Sequence, residues 1–224
     1  MENEKMNMRA NGRTAALAAL IAAGTFAAAP PKAAAEEILV TPPRFAENKR
    51  AAFKMSMRKL WAEHVIWTRA SIIAALAGSR DRADIQARLL RNQTEIGASF
   101  VPYYGQESGT KLANLLTEHV LIAGEVVKAA NKPAGAAYLD ADARWHANAA
   151  DIAALLNGMN PNWSKEAYVA MFNDHLALTA KQAVLRIDKK WAGDIAAFDE
   201  ILAQMMMMSD DLADGVIRQF PEKI

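Results

Sequence analysis

Beyond residue 43, apolar side chains recur at the 3.6-residue period of an α-helix, and only a few short clusters interrupt them. The interruptions are Gly78-Ser79, residues 102–105 (Pro-Tyr-Tyr-Gly), Asn131-Lys132-Pro133 and residues 158–163, all rich in turn formers. The stretches between them are too long for strands, and none alternates with period two. They predict helices over about 44–76, 82–100, 106–130, 134–157, 164–188 and 190–219, the last stopping before Pro221. The expected fold is therefore all-α: a helical bundle of about six helices, arranged as three repeated helical hairpins in one domain over 44–224. Composition agrees, with 11 Gly and 8 Pro among 224 residues and alanine abundant. Asp81 is placed to cap the second helix, Pro133 to start the fourth and Ser164 to cap the fifth.

The N-terminus carries a different pattern. Lys5, Arg9 and Arg13 precede an apolar run over 14–29, followed by Pro30-Pro31 and Ala33-Ala34-Ala35. This is the layout of a secretory signal peptide, residues 1–35, cleaved after Ala35. The run is shorter than the roughly 20 residues of a membrane span. Residues 36–43, with Pro42-Pro43, are expected to be an extended leader. The chain is thus expected to be exported, periplasmic or extracellular, with no stable membrane span once the signal is removed. No cysteine is present, which excludes a disulfide framework, a zinc ribbon, a lipoprotein anchor and a cysteine nucleophile. Basic and acidic residues nearly balance, 26 against 25, and they are scattered, so nucleic acid is not an expected partner. Protein partners and oligomeric state are not written in the sequence.

A weak internal repeat organises the polar residues. Glu63-His64, Glu118-His119 and Asp174-His175 fall in the first, third and fifth helices, with histidine spacings of 55 and 56. A shift of 56 also takes Arg88 to Arg144, Asn92 to Asn148, Glu95 to Asp151 and Ile96 to Ile152. A further shift lands on Glu200, Gln204, Met207 and Met208, so the third unit keeps the amide and loses the arginine and carboxylate. At 100° per residue, His119 lies on the stripe of Leu112, Leu115, Leu116, Ile122 and Val126. His64 and His175 hold the same kind of position. Asn92, Asn148 and Gln204 share faces with apolar residues of their own helices. Packed about one axis, imidazoles from odd helices would meet amides and carboxylates from even ones.

Such a layer supports a metal site. His64, His119 and His175 would supply neutral nitrogen ligands, and Glu95, Asp151 and Asp211 charge. Asn92, Asn148 and Gln204 would orient them, with Glu63, Glu118, Asp174, Arg88 and Arg144 around them. A transition-metal ion is the candidate cofactor, although the Glu-x-x-His signature of di-iron bundles is absent. Two alternatives stand beside it: a structural or interaction protein whose buried polar network satisfies itself, and a metal-dependent redox enzyme. Haem seated by two or three of the histidines is a further option. His146 lies about 200° from Asn148's face and is expected to be exposed. The run Met205-Met206-Met207-Met208 reads as filler of a buried helix rather than a thioether copper site. The five tryptophans, with Tyr103 and Tyr104, read as core and loop anchors rather than a ligand cleft. No phosphate loop, nucleophile elbow or His-Glu-x-x-His motif is present.

The segments 60–69, 91–97, 102–105, 117–123, 148–153 and 174–179 together resemble a family of exported bacterial all-helical proteins of unassigned function. Its members are left as hypothetical or labelled glycosyltransferase or acetylglutamate kinase. The resemblance covers nearly all of the mature chain and implies an exported helical protein. It implies no chemistry, because the nucleotide-binding features those labels require are absent. The leading expectation is an exported, non-enzymatic binding or accessory protein.

Overall fold

A computed structural model describes residues 49–224 of the chain. The expected signal peptide, the leader over 36–43 and the first residues of the first helix lie outside the described residues. Within them the protein is all-helical: α1 is Lys49–Ala77, α2 Arg82–Ala129, α3 Ala136–Met159, α4 Lys165–Ile187 and α5 Trp191–Gln219. No strand occurs among the described residues. No helix there is long and apolar enough to cross a membrane.

Among the described residues there are five helices rather than about six, because 82–100 and 106–130 belong to one element. The expected break survives as a bend inside α2. Pro102 has no N–H to give the helix, and Gly105 takes φ 79° and ψ 166°, a conformation closed to other residues at low cost. The turn is sharp enough to bring the two arms of α2 together. A Cβ on Gly97 would lie 2.4 Å from the Gly109 carbonyl oxygen and 2.7 Å from the Ala113 Cβ. Glycine at 97 and 109 is therefore what allows the arms to touch.

The helices close into a ring. Each of α1 to α4 packs against its successor, and α5 returns to α1. Trp61, Phe100, Leu116, Trp145, Phe172 and Met205 are among the side chains buried along its axis. At one end Gly215 of α5 lies directly against the fully buried Trp163 indole, 2.0 Å from where its Cβ would stand. Met205 and Met208 fill the core as expected, but Met207 is 66% exposed, because four consecutive residues circle the helix.

The helix ends show which capping expectations hold. Ser164 caps α4 by accepting from the Ala167 N–H at 3.3 Å. Asp81 precedes α2 but makes no capping bond, because its carboxylate accepts from the Ser79 hydroxyl instead. Pro133 sits in the turn before α3, which starts only at Ala136 after Gly135. Between α4 and α5, Lys189 takes φ 59°, the left-handed conformation glycine favours at a helix end. The Lys190 N–H then reaches back to the Leu185 carbonyl at 2.9 Å.

Candidate functional site

The inward stripe of each histidine-bearing segment carries its imidazole into the axis of the ring. His64 of α1, His119 of α2 and His175 of α4 are each 4% exposed. An amide from a neighbouring helix meets each segment in the same way. The side-chain NH2 of Asn92 donates to Leu60 O at 3.0 Å, that of Asn148 to Leu115 O at 3.1 Å, and that of Gln204 to Met171 O at 3.1 Å. Each of these carbonyls lies four residues before the histidine, so the amide is a second donor to an oxygen already in the helix ladder. Asn92, Asn148 and Gln204 thus clamp helix to helix beside the imidazoles.

The three rings are not alike. Trp145 Nε1 donates to His119 Nε2 at 3.1 Å, and His119 Nδ1 lies 2.9 Å from Asn148 Oδ1. An indole N–H can only donate, so Nε2 is the acceptor and Nδ1 carries the proton given to Asn148. His119 is neutral and complete, with no lone pair left for a ligand. Burial pushes it down to about 4, although its bond to Asn148 acts in the opposite direction. The other Asn148 amide hydrogen is shared with Glu118 Oε2 at 3.1 Å.

His64 and His175 are incomplete. Their ring centroids are 6.1 Å apart, and the Nδ1 of each is buried without a partner. Gln93 beside His64 and Gln204 beside His175 each leave a buried Oε1 unpaired as well. The Gln93 NH2 is occupied, donating to Leu89 O at 2.8 Å and Asn92 Oδ1 at 3.1 Å. Burial, then His119 for His64 and both other imidazoles for His175, pushes the two rings down to about 3, against the opposite pull of the Gln93 and Gln204 amides beside them. The three imidazoles are neutral at physiological pH.

These rings face a cavity of about 50 Å³ between α1, α2, α3 and α4. Its polar lining is the three imidazoles with Thr68, Ser71 and Thr179, and its walls are aliphatic, with Trp145 at one side. Thr179 is satisfied, donating to His175 O at 2.8 Å, whereas the Thr68 hydroxyl is buried and unpaired. No charged side chain lines the space.

The expected carboxylates do not join the imidazoles. Glu95 pairs with Arg88 at 3.2 Å and Arg91 at 3.3 Å. Asp151 is exposed, and Asp211 accepts from the Tyr168 hydroxyl at 2.7 Å. Glu63 pairs with Lys59 and Arg88, Asp174 is exposed, and Arg144 turns outward to Glu125 and Asp140. For Glu95 and Asp151 a helical offset of about 60° from the amides decides this: a carboxylate on the flank reaches water or an arginine far more cheaply than a dry interior. Among the described residues no group of three or more His, Cys, Asp or Glu is placed to hold a metal ion. The ligand set expected from the sequence is therefore not assembled. His146 is exposed as expected. Of the tryptophans only Trp145 lines the cavity.

Gln93 and Thr68 belong to the site; the helical period places Thr68 on the His64 face without giving it a role, and gives no sign of Gln93. Gln93 follows Asn92 by one residue and so sits 100° off the stripe. Thr68 lies one turn beyond His64, a spacing that marks it as a neighbour on the same face. Comparison with family models, curated proteins and solved structures returns no match, so the site is read from its own geometry.

Proposed function

We propose that the chain is an exported, non-enzymatic binding or accessory protein whose cavity takes a small uncharged molecule that donates hydrogen bonds. The observation that carries this is three buried polar atoms around one cavity, the Nδ1 of His64, the Nδ1 of His175 and the Thr68 hydroxyl, none with a hydrogen bond of good geometry. Buried polar atoms normally find partners, and each orphan costs about 1–3 kcal/mol. A neutral imidazole always offers an acceptor nitrogen, so the complementary ligand brings O–H or N–H groups. No charge lines the site, so a charged guest would enter uncompensated. The space holds about three to five waters, or a short alcohol, diol or amide of that bulk. Any transition-metal ion would meet His64 and His175 alone, with no carboxylate to balance it.

Export rests on residues 1–35. The recurrence of the amide-to-carbonyl clamp at Asn92, Asn148 and Gln204 supports the three-hairpin repeat, in which two units keep an open imidazole and the middle one is closed by Trp145.

Ligand-observed NMR with a panel of small neutral alcohols, diols and amides tests the proposal. Saturable binding by the wild type that is lost in His64→Gln/His175→Gln is expected. If no member of the panel binds and the cavity exchanges only water, the layer is a hydrated structural network. Elemental analysis of the untagged protein, showing a stoichiometric metal lost with those two histidines, would instead assign the cavity to an ion.

A further inference from the structure

We infer that a second site, a groove at one end of the bundle, binds a single-chain amphiphilic carboxylate: the anionic head on Lys128 and Lys189, the alkyl chain along Ile73, Leu76 and Trp191. The groove, about 390 Å³, is formed where α1, α2 and α4 end and α5 begins. That is the size of a small-molecule site. Its lining divides sharply by chemistry. Ile73, Leu76, Val127, Ile187 and Trp191 make an apolar floor, Lys128, Arg186 and Lys189 add three cations, and no acidic residue lines it.

The cations are not all spoken for. Arg186 is engaged by Asp194 at 3.1 Å and stacks on Trp191 at 4.6 Å. Lys128 and Lys189 make no ion pair among the described residues. A basic residue in the last turn of a helix complements the backbone dipole, which accounts for Lys128 and Arg186 in part. It does not account for Lys189. That residue holds φ 59°, where glycine would be unstrained, so its side chain is kept at a backbone cost. Nor does it account for Trp191, 49% exposed with Arg186 against its ring, or for Leu76 beside it at 36%. A purely polar anion would leave those two surfaces in water, and an uncharged chain would leave the lysines unmatched. An anion with an alkyl tail meets both.

The site is separate from the imidazole cavity, sharing only Val127 with it. Isothermal titration calorimetry of the full chain with decanoate, decanol and butyrate, each below its aggregation limit, tests the inference. Saturable one-to-one binding of decanoate is expected, with decanol and butyrate much weaker. Lys128→Gln/Lys189→Gly should weaken decanoate on the order of tenfold, by loss of two exposed ion pairs. Lys189→Gly relieves the backbone, so lost binding there is not lost folding. His64→Gln/His175→Gln, confirmed folded by circular dichroism, should bind decanoate unchanged, so failure of the cavity proposal leaves this one standing. Four results would overturn it: no saturable binding, decanol equal to decanoate, an unaffected lysine double variant, or binding to vesicles with anionic headgroups but not to free decanoate.

Discussion

Acid should unfold this protein well above the pH at which carboxylates titrate. His64, His119 and His175 are pushed down to about 3, 4 and 3 in the folded chain, chiefly by burial. In the unfolded chain each returns to about 6.5. The folded values lie below the unfolded ones, so the unfolded state takes up protons first as pH falls. The stability is whole above the unfolded value, is lost as pH falls through about 6.5, and levels off only below the folded values. Each imidazole then costs about 1.4 kcal/mol per pH unit, which by pH 5 amounts to about 2 kcal/mol each and about 6 for the three. That rivals the whole stability of a typical domain, about 5–15 kcal/mol. Carboxylates do not confuse the window. Glu63, bonded to Lys59, and Asp210, bonded to Arg58, are held below their ordinary range, so their contribution is lost only at still lower pH. Urea unfolding followed by tryptophan emission at pH 7.5, 6.5, 5.5 and 5.0 is the assay. With a slope of about 2 kcal/mol per molar, the midpoint should fall by about 3 M across that range. A midpoint that stays constant from pH 7.5 to 5.0 would show that the imidazoles are not buried and neutral, and the reasoning would fail.

Three substitutions probe the frame around the site. Gly97→Ala drives a Cβ into the Gly109 carbonyl and should cost about 2–3 kcal/mol in urea unfolding; a loss under 1 kcal/mol would mean that the arms of α2 do not touch. Trp145→Phe keeps most of the packing but strips the donor from His119 Nε2, and should cost about 1–3 kcal/mol. An unchanged midpoint there would argue against the tautomer assigned to His119. Lys189→Gly removes a left-handed lysine and should leave stability equal or raised by up to about 1 kcal/mol; a clear loss would show that the lysine itself holds the α4–α5 turn.

Much of the fold was legible because helix periodicity is a one-dimensional signal. The stripe through Leu112, Leu116 and His119 announced both the helix and the buried imidazole, and all three are buried. Asn92 and Asn148 were legible for the same reason. What failed was whatever depends on a neighbour. The residues 102–105 read as a break, yet whether the flanking helices part or fold back on one element is decided by Gly97 meeting Gly109, twelve residues along the chain. Glu95 and Asp151 share an angular sector with the amides, but angle does not bind a long or flanking carboxylate to the core when Arg88 or water is within reach. The inequality of the three histidines was also hidden. A repeat makes them look equivalent, and only the position of Trp145, where the other units have Leu89 and Ile201, shows that one ring is closed.

Long-range proton–nitrogen NMR of the imidazoles in the full chain at pH 7.5, with and without the small neutral donors, is the most direct measurement of the central claim. The expected spectrum has three neutral buried rings. His119 is the Nδ1–H tautomer and is indifferent to added ligand, while the nitrogens of His64 and His175 shift to saturation. Rings that are all hydrogen-bonded from the start, and that no ligand moves, would contradict it.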